Sequence, residues 1–270
     1  MAVPTTNVKL SDLQTEFGGA NPISLGEYRR GGPYVPSGTT SSYGTIPTSN
    51  SNLSLGVFRG TVSFVPGSNT FTSNATFVVP SYGTITIEAW GGGGGGGTVT
   101  NNLAGTDGVT PAATTITGGG VNISAGGGGG GGYANNTQNA GADGAGGTAS
   151  GGVTSNINGA AGSSAGGGTA PSGSVSGGAG GAHGRNTGSV GFYYGTSGAA
   201  PGGGGGGGEF LQPFKAGGAT FDSGSGGSGA YVKTVTTSAV TRGATLTITI
   251  PPAVGGGTDG GAGLVIITYV

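Results

Sequence analysis

Seven consecutive residues, 91–97, carry no side chain, and the same happens at 126–132 and 202–208. Glycine-dominated stretches recur at 141–152, 159–168, 177–184, 224–229 and 255–263. Ordering a glycine costs more backbone entropy than ordering any other residue, on the order of 1–2 kcal/mol, and a net backbone hydrogen bond returns roughly 1 kcal/mol. A lone tract therefore stays unfolded, and order requires that tracts bond to one another. In the extended left-handed threefold helix shared by polyproline and polyglycine, N–H and C=O point outward and bond only to neighbours. Stacked helices of this kind leave no room for a β-carbon at the centre. A seven-residue tract would span about 22 Å at ~3.1 Å per residue. Unbroken tracts are expected at the centre of such a bundle, and mixed ones such as "GADGAGGTASGG" at its edge. The plainer alternative is a flexible Gly/Ser linker. Ile116, Val121, Ile123, Val153, Ile157 and Val175, spaced among the tracts, argue against it.

Glycine supplies 71 and proline 13 of the 270 residues, a proportion associated with low complexity. Disordered chains usually stay in solution through charge, yet only 8 basic and 9 acidic residues are present, for a net charge of −1. With no basic stripe or polybasic segment, nucleic-acid and membrane partners are not expected. Cysteine is absent, which removes disulfides and thiolate sites. The start "MAVPTTNVKL" has neither the basic nor the apolar region of a secretory signal. A protein made in a cytoplasm without signal-directed export is expected.

Strand signals flank the tracts. Segments 61–65, 70–79 and 83–90 are rich in β-branched and aromatic residues and are separated by turns. Segments 230–237, 244–250 and 264–270 repeat the pattern, with Leu246, Ile248 and Ile250 alternating inward and "LVIITYV" reading as a buried central strand. Ile85, Ile87 and Ala89 share one face; Thr84, Thr86 and Glu88 share the other. Trp90 is expected to cover the seam between strand and tract. The fold class expected is mainly β with little helix, a small antiparallel β-sandwich with an inserted bundle of polyglycine II helices. The sandwich would comprise 61–90 and 230–270, and the bundle 91–229.

Residues 1–60 hold a gapless repeat: "ISLGEYRRGGPYVP" (23–36) aligns with "LSLGVFRGTVSFVP" (53–66). A short helix precedes it, with Ser11 as N-cap, Asp12 in the first turn and Gly18 as the stop. With so few apolar residues this stretch is not expected to build its own core, and it reads as a docking arm. Its candidate docking residues are Leu25, Tyr28, Arg29, Leu55, Phe58 and Arg59.

"NTFTSNATFVVPSYGTITIEAWGGGGGGG", closed downstream by "GGGTDGGAGLVIITYV", resembles the glycine-rich domain that recurs in phage tail-associated and bacterial surface proteins. The tracts and polar loops are similar to the receptor-recognising adhesins of T-even-type long tail fibres, and "LSDLQTEFGGANPISLGEYRRGGPYVP" resembles a segment common in phage virion proteins. The strands at both ends and the Ser-Leu-Gly repeats depart from the adhesin pattern. The resemblance implies a virion location, other tail proteins as partners, and loops that recognise a bacterial surface receptor, protein or glycan. It leaves self-association open. It places contacts in 98–117, 133–140, 153–158, 169–176, 185–201 and 209–223. There, Arg185, Phe192, Tyr193, Tyr194, Phe210 and Phe214 stand out as receptor-contact candidates, because tyrosine and phenylalanine offer large area at low entropy cost. The aromatics could equally plug gaps beneath the loops. A purely structural tail component is the alternative. Polyglycine bundles also occur in arthropod antifreezes, but those rely on disulfides and flat faces.

No enzyme chemistry is expected. Chance G-x-G-x-x-G strings here lack the following helix that an anion site needs. His183 is the single histidine, too little for a zinc pair or a triad argument. Asp107, Asp143 and Asp259 precede glycine and, with Asp222, read as turn residues. No cofactor or metal is expected.

Overall fold

The structure is a computed structural model that describes residues 2–36, 39, 41, 43–61, 66–80, 82–100, 105–135, 140–164, 166–184, 191–211 and 220–270. Its one α-helix among these, α1, spans Leu10–Phe17, and two four-residue 3-10 turns follow at Leu25–Tyr28 and Leu55–Phe58. The strands are β1 (Gly67–Phe71), β2 (Ala75–Val78), β3 (Ile85–Trp90), β4 (Thr114–Gly118), β5 (Val121–Ala125), β6 (Ala149–Ser150), β7 (Ser155–Ile157), β8 (Gly191–Tyr193), β9 (Glu209–Leu211), β10 (Thr220–Asp222), β11 (Tyr231–Thr236), β12 (Thr245–Thr249) and β13 (Leu264–Tyr269).

Two antiparallel sheets carry the β-domain, in the orders β1-β13-β3-β11-β7 and β2-β12-β4-β5-β6. Their inner faces meet in one core. Ile85, Ile87 and Ala89 from β3, Val265 and Ile267 from β13 and Val232 from β11 face Ile116, Ile123, Leu246 and Ile248, all buried. Period-two alternation explains this, since every second side chain of each strand reaches the core. Full burial of each such side chain is worth about 1.5–3 kcal/mol. β13 is central as "LVIITYV" suggests, between β1 and β3. Segment 70–79 is not one strand: it divides into β1 and β2, which lie in different sheets. The expected strand at 61–65 lies almost wholly outside the described residues.

Part of 91–229 completes the sandwich. β4 and β5 form a hairpin across Gly119 and Gly120, whose φ values of +57° and +87° suit a two-residue turn that favours glycine at both positions. β6 and β7 take the far edges of the two sheets.

The glycine tracts bond to one another with a repeat of three. The amides of Gly91, Gly94 and Gly97 donate to the carbonyls of Ala230, Gly227 and Gly224, while Gly93 and Gly96 donate to Gly261 and Thr258. Gly224, Gly227 and Ala230 donate to Gly132, Gly129 and Gly126; Ser223, Gly226 and Gly229 donate to Gly208, Gly205 and Gly202. Segment 223–230 is thus enclosed by 91–97, 126–132, 141–148, 202–208 and 160–168, and all of it is buried. Segment 141–148 lies at the edge: Gly144 and Gly147 are buried, Ala142, Asp143, Ala145 and Thr148 are exposed. Backbones approach so closely that a β-carbon on Gly94 would stand 2.1 Å from the Gly129 carbonyl oxygen.

The enclosed segment is not pure glycine. Ser223, Ser225 and Ser228 are buried in it. Each hydroxyl takes an amide of a neighbouring tract: Gly208 N–H donates to Ser223 Oγ at 2.7 Å, Gly207 N–H to Ser225 Oγ at 3.0 Å, and Ala160 N–H to Ser228 Oγ at 2.8 Å.

Residues 3–58 do have their own core, contrary to expectation. Val3, Leu13, Phe17, Tyr28, Val35, Ile46 and Phe58 pack together, with Leu25 and Leu55 against them. The repeat explains it: both copies form a 3-10 turn that directs its aromatic inward, so few apolar residues suffice. Lys9, not Ser11, precedes the helix, and Asp12 Oδ2 accepts the Lys9 N–H at 2.7 Å. Gly18 does end it, at φ +81°.

Candidate functional site

The tracts run between two ends of different character. At one end they continue directly from strands: Trp90 into Gly91, Ala125 into Gly126, and Ala230 into Tyr231. At the other end, 202–208 leads into β9, and β10 leads into 223–230. These strands form a separate sheet in the order β10-β9-β8, with Phe192 paired to Phe210 and Phe210 to Phe221 in register. Beneath it, Phe221, Val99 and Ala134 form a small buried cluster. His183 is buried nearby, with Nδ1 at 2.9 Å from the Gly184 carbonyl oxygen and Nε2 at 3.0 Å from that of Ser223. It holds the end of 177–184 to the enclosed segment.

This remote end presents aromatic surface. Phe192 is 39% exposed and Tyr194 66%. Their rings lie 6.3 Å apart at an interplanar angle of 11°. Tyr193 is half-buried. The Phe210 backbone lies in β9, opposite Phe192. Arg185 and Phe214 fall outside the described residues. The structure therefore brings Phe192 and Tyr194 together as an exposed pair.

The N-terminal candidates lie elsewhere. Tyr28 and Phe58 are fully buried and Leu25 and Leu55 pack on the same core, so these four hold residues 3–58 together rather than offering a docking face. Arg29 Nη1 donates to the Gly26 carbonyl at 3.1 Å within its own turn. Arg59 is exposed, with its guanidinium carbon 5.9 Å from the Tyr43 ring centroid.

Several expected contact loops are engaged internally. Gly108 donates to Gly131 and Val109 to Gly255, so this stretch is bonded among the tracts. Segment 170–175 covers the outer face of β3. There, Glu88 is 2% exposed, although alternation assigns it to a polar face. Its Oε1 accepts hydrogen bonds from the Tyr231 hydroxyl and, at 2.9 Å, from Ser174 N–H, with Lys233 Nζ at 3.7 Å. Burial pushes the carboxyl up, but the hydrogen bonds from Ser174 and Tyr231 and the Lys233 charge outweigh it and hold the group below the ordinary carboxylate value. Burial, then the Glu88 carboxylate, push the Tyr231 phenol well above its ordinary value. Trp90 packs 4.9 Å from the Tyr231 ring and donates from Nε1 to the Pro171 carbonyl at 2.8 Å. Trp90 thus closes the junction on the outer face of the sheet, opposite Ile85 and Ile87. Asp143 is no mere turn residue either, since its Oδ1 accepts the Ser225 N–H of the enclosed segment at 2.9 Å.

Among the described residues no group of three or more His, Asp or Glu side chains is placed to hold a metal, and no helix is long and apolar enough to cross a membrane. Comparison with protein-family models, curated proteins and solved structures finds no match.

Proposed function

We propose that the tracts are polyglycine II helices packed as a bundle, and that the protein is an adhesin of a phage virion, in the tail fibre or tail tip. The helix assignment is supported by donors spaced three apart that reach one neighbouring tract, and by the burial of Gly144 and Gly147, three apart, between exposed residues of 141–148. Such a bundle projects a surface away from the sandwich without charges or disulfides. The adhesin reading rests on one observation: the exposed Phe192–Tyr194 pair sits at the end of the tracts remote from the sandwich. Exposed aromatics held on a rigid platform supply contact area at low entropy cost. The ligand is a bacterial surface receptor, and residues 3–58 attach the protein to other tail proteins.

The test is competition for adsorption. Purified protein added in excess should slow phage adsorption to host cells, and the Phe192→Ala, Tyr194→Ala double variant should lose about tenfold or more of that potency, the range for truncating central aromatics. Unchanged competition by the folded double variant would remove the adhesin reading and leave a structural tail component.

A further inference from the structure

His183, the single histidine, is 7% exposed, and each of its ring nitrogens meets a backbone carbonyl: Nδ1 lies 2.9 Å from the Gly184 oxygen and Nε2 3.0 Å from that of Ser223. A carbonyl oxygen only accepts, so each nitrogen must donate to make its bond. Neutral imidazole carries one N–H and imidazolium carries two. The arrangement is therefore complete only for the charged ring. Once one proton has left, a ring lone pair faces a carbonyl lone pair and one of the two bonds is gone. Burying a charge is costly unless its hydrogen bonds are made, and here both donors of the imidazolium have acceptors.

The two carbonyls belong to segments that meet at the remote end of the tracts. Ser223 follows β10 directly and opens the enclosed segment, while Gly184 N–H donates to the Gly207 carbonyl. A β-carbon on Gly184 would collide with the Tyr193 carbonyl, so this backbone lies against β8, the strand that carries Phe192. Ala182 and Thr196 add a reciprocal pair of bonds: Ala182 N–H donates to Thr196 Oγ1 at 2.8 Å, and Thr196 N–H to the Ala182 carbonyl at 2.9 Å. Among the described residues, the other titratable groups on the elements packed here are Tyr193 of β8, Glu209 of β9 and Asp222 of β10, with Glu209 the cross-strand partner of both others, and Asp143, which accepts the Ser225 N–H.

We propose that His183 is a pH-dependent latch at this end of the bundle, closed while the ring carries two protons and released when one leaves. Histidine changes charge between about pH 5 and 8, so the junction of 177–184 with Ser223 tightens as pH falls through that interval and loosens as it rises. The latch is a property of the fold and stands whether or not the end of the tracts meets a receptor.

The experiment is NMR on the isotope-labelled full chain. At about pH 5 both His183 ring nitrogens should carry protons, read from their nitrogen shifts, and at about pH 8 one should not; with one histidine in the chain the signals are unambiguous. Over the same change, and after correction for the intrinsic pH dependence of exchange, protection of the Gly184 amide, bonded to Gly207, and of the Ser223 amide, bonded to Gly208, should fall about tenfold, the order for one hydrogen bond from a charged donor. Protection of Ile87 and Val265 in the sandwich core should stay constant. In His183→Gln, protection of Gly184 and Ser223 should be the same at both pH values, with Ile87 and Val265 reporting that the sandwich remains folded. A ring nitrogen without its proton at about pH 5, constant protection of Gly184 and Ser223 in the wild type, or a fall that persists in folded His183→Gln would overturn the proposal, the last assigning the effect to the neighbouring carboxylates. Where the variant does not fold, the wild-type ring signals and amides decide.

Discussion

At the scale of single residues, two kinds of position carry the architecture. The first is a glycine whose missing β-carbon is a requirement of contact. At Gly94 the added carbon would meet a carbonyl oxygen at 2.1 Å, and both sides of that contact are backbone. Gly94→Ala should therefore destabilise the protein by about 1–3 kcal/mol or more. Gly56→Ala should stay within about 0.5 kcal/mol, because there the nearest atom is at 3.8 Å. Chemical denaturation of both variants checks the difference. The second kind is the polar side chain that completes a backbone ladder. Ser223 Oγ accepts from Gly208 N–H and donates to the Gly97 carbonyl at 2.8 Å, joining three tracts. Uniform glycine offers the same bonding pattern every three residues, and such serines define the register. Glu88 holds the junction in a comparable way. Because its folded pKa is lowered, its contribution is present above the unfolded carboxylate value and is lost as pH falls through the folded one. Glu88→Gln should lower stability at pH 7 and flatten the acid limb of a stability curve read from Trp90, the single tryptophan. An unaltered acid limb would contradict this.

Among the elements, legibility in the sequence follows from where the information is stored. β3, β11, β12 and β13 can be read because local alternation of Ile, Leu and Val decides which face is buried. The β4–β5 hairpin is missed because its Gly119–Gly120 turn looks like another tract, although Ile116 and Ile123 carry the period-two signal. The exposed Phe192–Tyr194 pair falls within the candidate set because aromatics are conspicuous in glycine-rich chain. The roles of Tyr28 and Phe58 are misread because the same rarity suggests a docking surface, whereas each fills the centre of a small core. Burial of Glu88 depends on segment 170–175 returning over β3 from some eighty residues away, and no local pattern encodes that. An unbroken run of glycine marks an enclosed tract at 91–97 and 202–208, buried throughout, but not at 126–132, and segment 223–230 is enclosed despite three serines, because each hydroxyl takes a backbone partner.

Taken as a whole molecule, the chain combines two cores built on side chains with a region built on backbone bonds. Residues 3–58 bury their apolar side chains among themselves and the sandwich buries its own. Deleting residues 1–61 should leave the Trp90 unfolding transition of the remainder intact, a result that fluorescence-monitored denaturation can read; loss of that transition would mean the two cores are interdependent. The glycine tracts derive their order from amides bonded to neighbouring tracts. Hydrogen exchange resolved to single amides tests it most directly. The amides of Gly94, Gly205 and Gly227 are buried and bonded to different tracts, so they should exchange as slowly as those of Ile87 and Val265 in the sandwich core. Exchange of these glycine amides at the rate of an unstructured chain, with the sandwich still protected, would contradict the account.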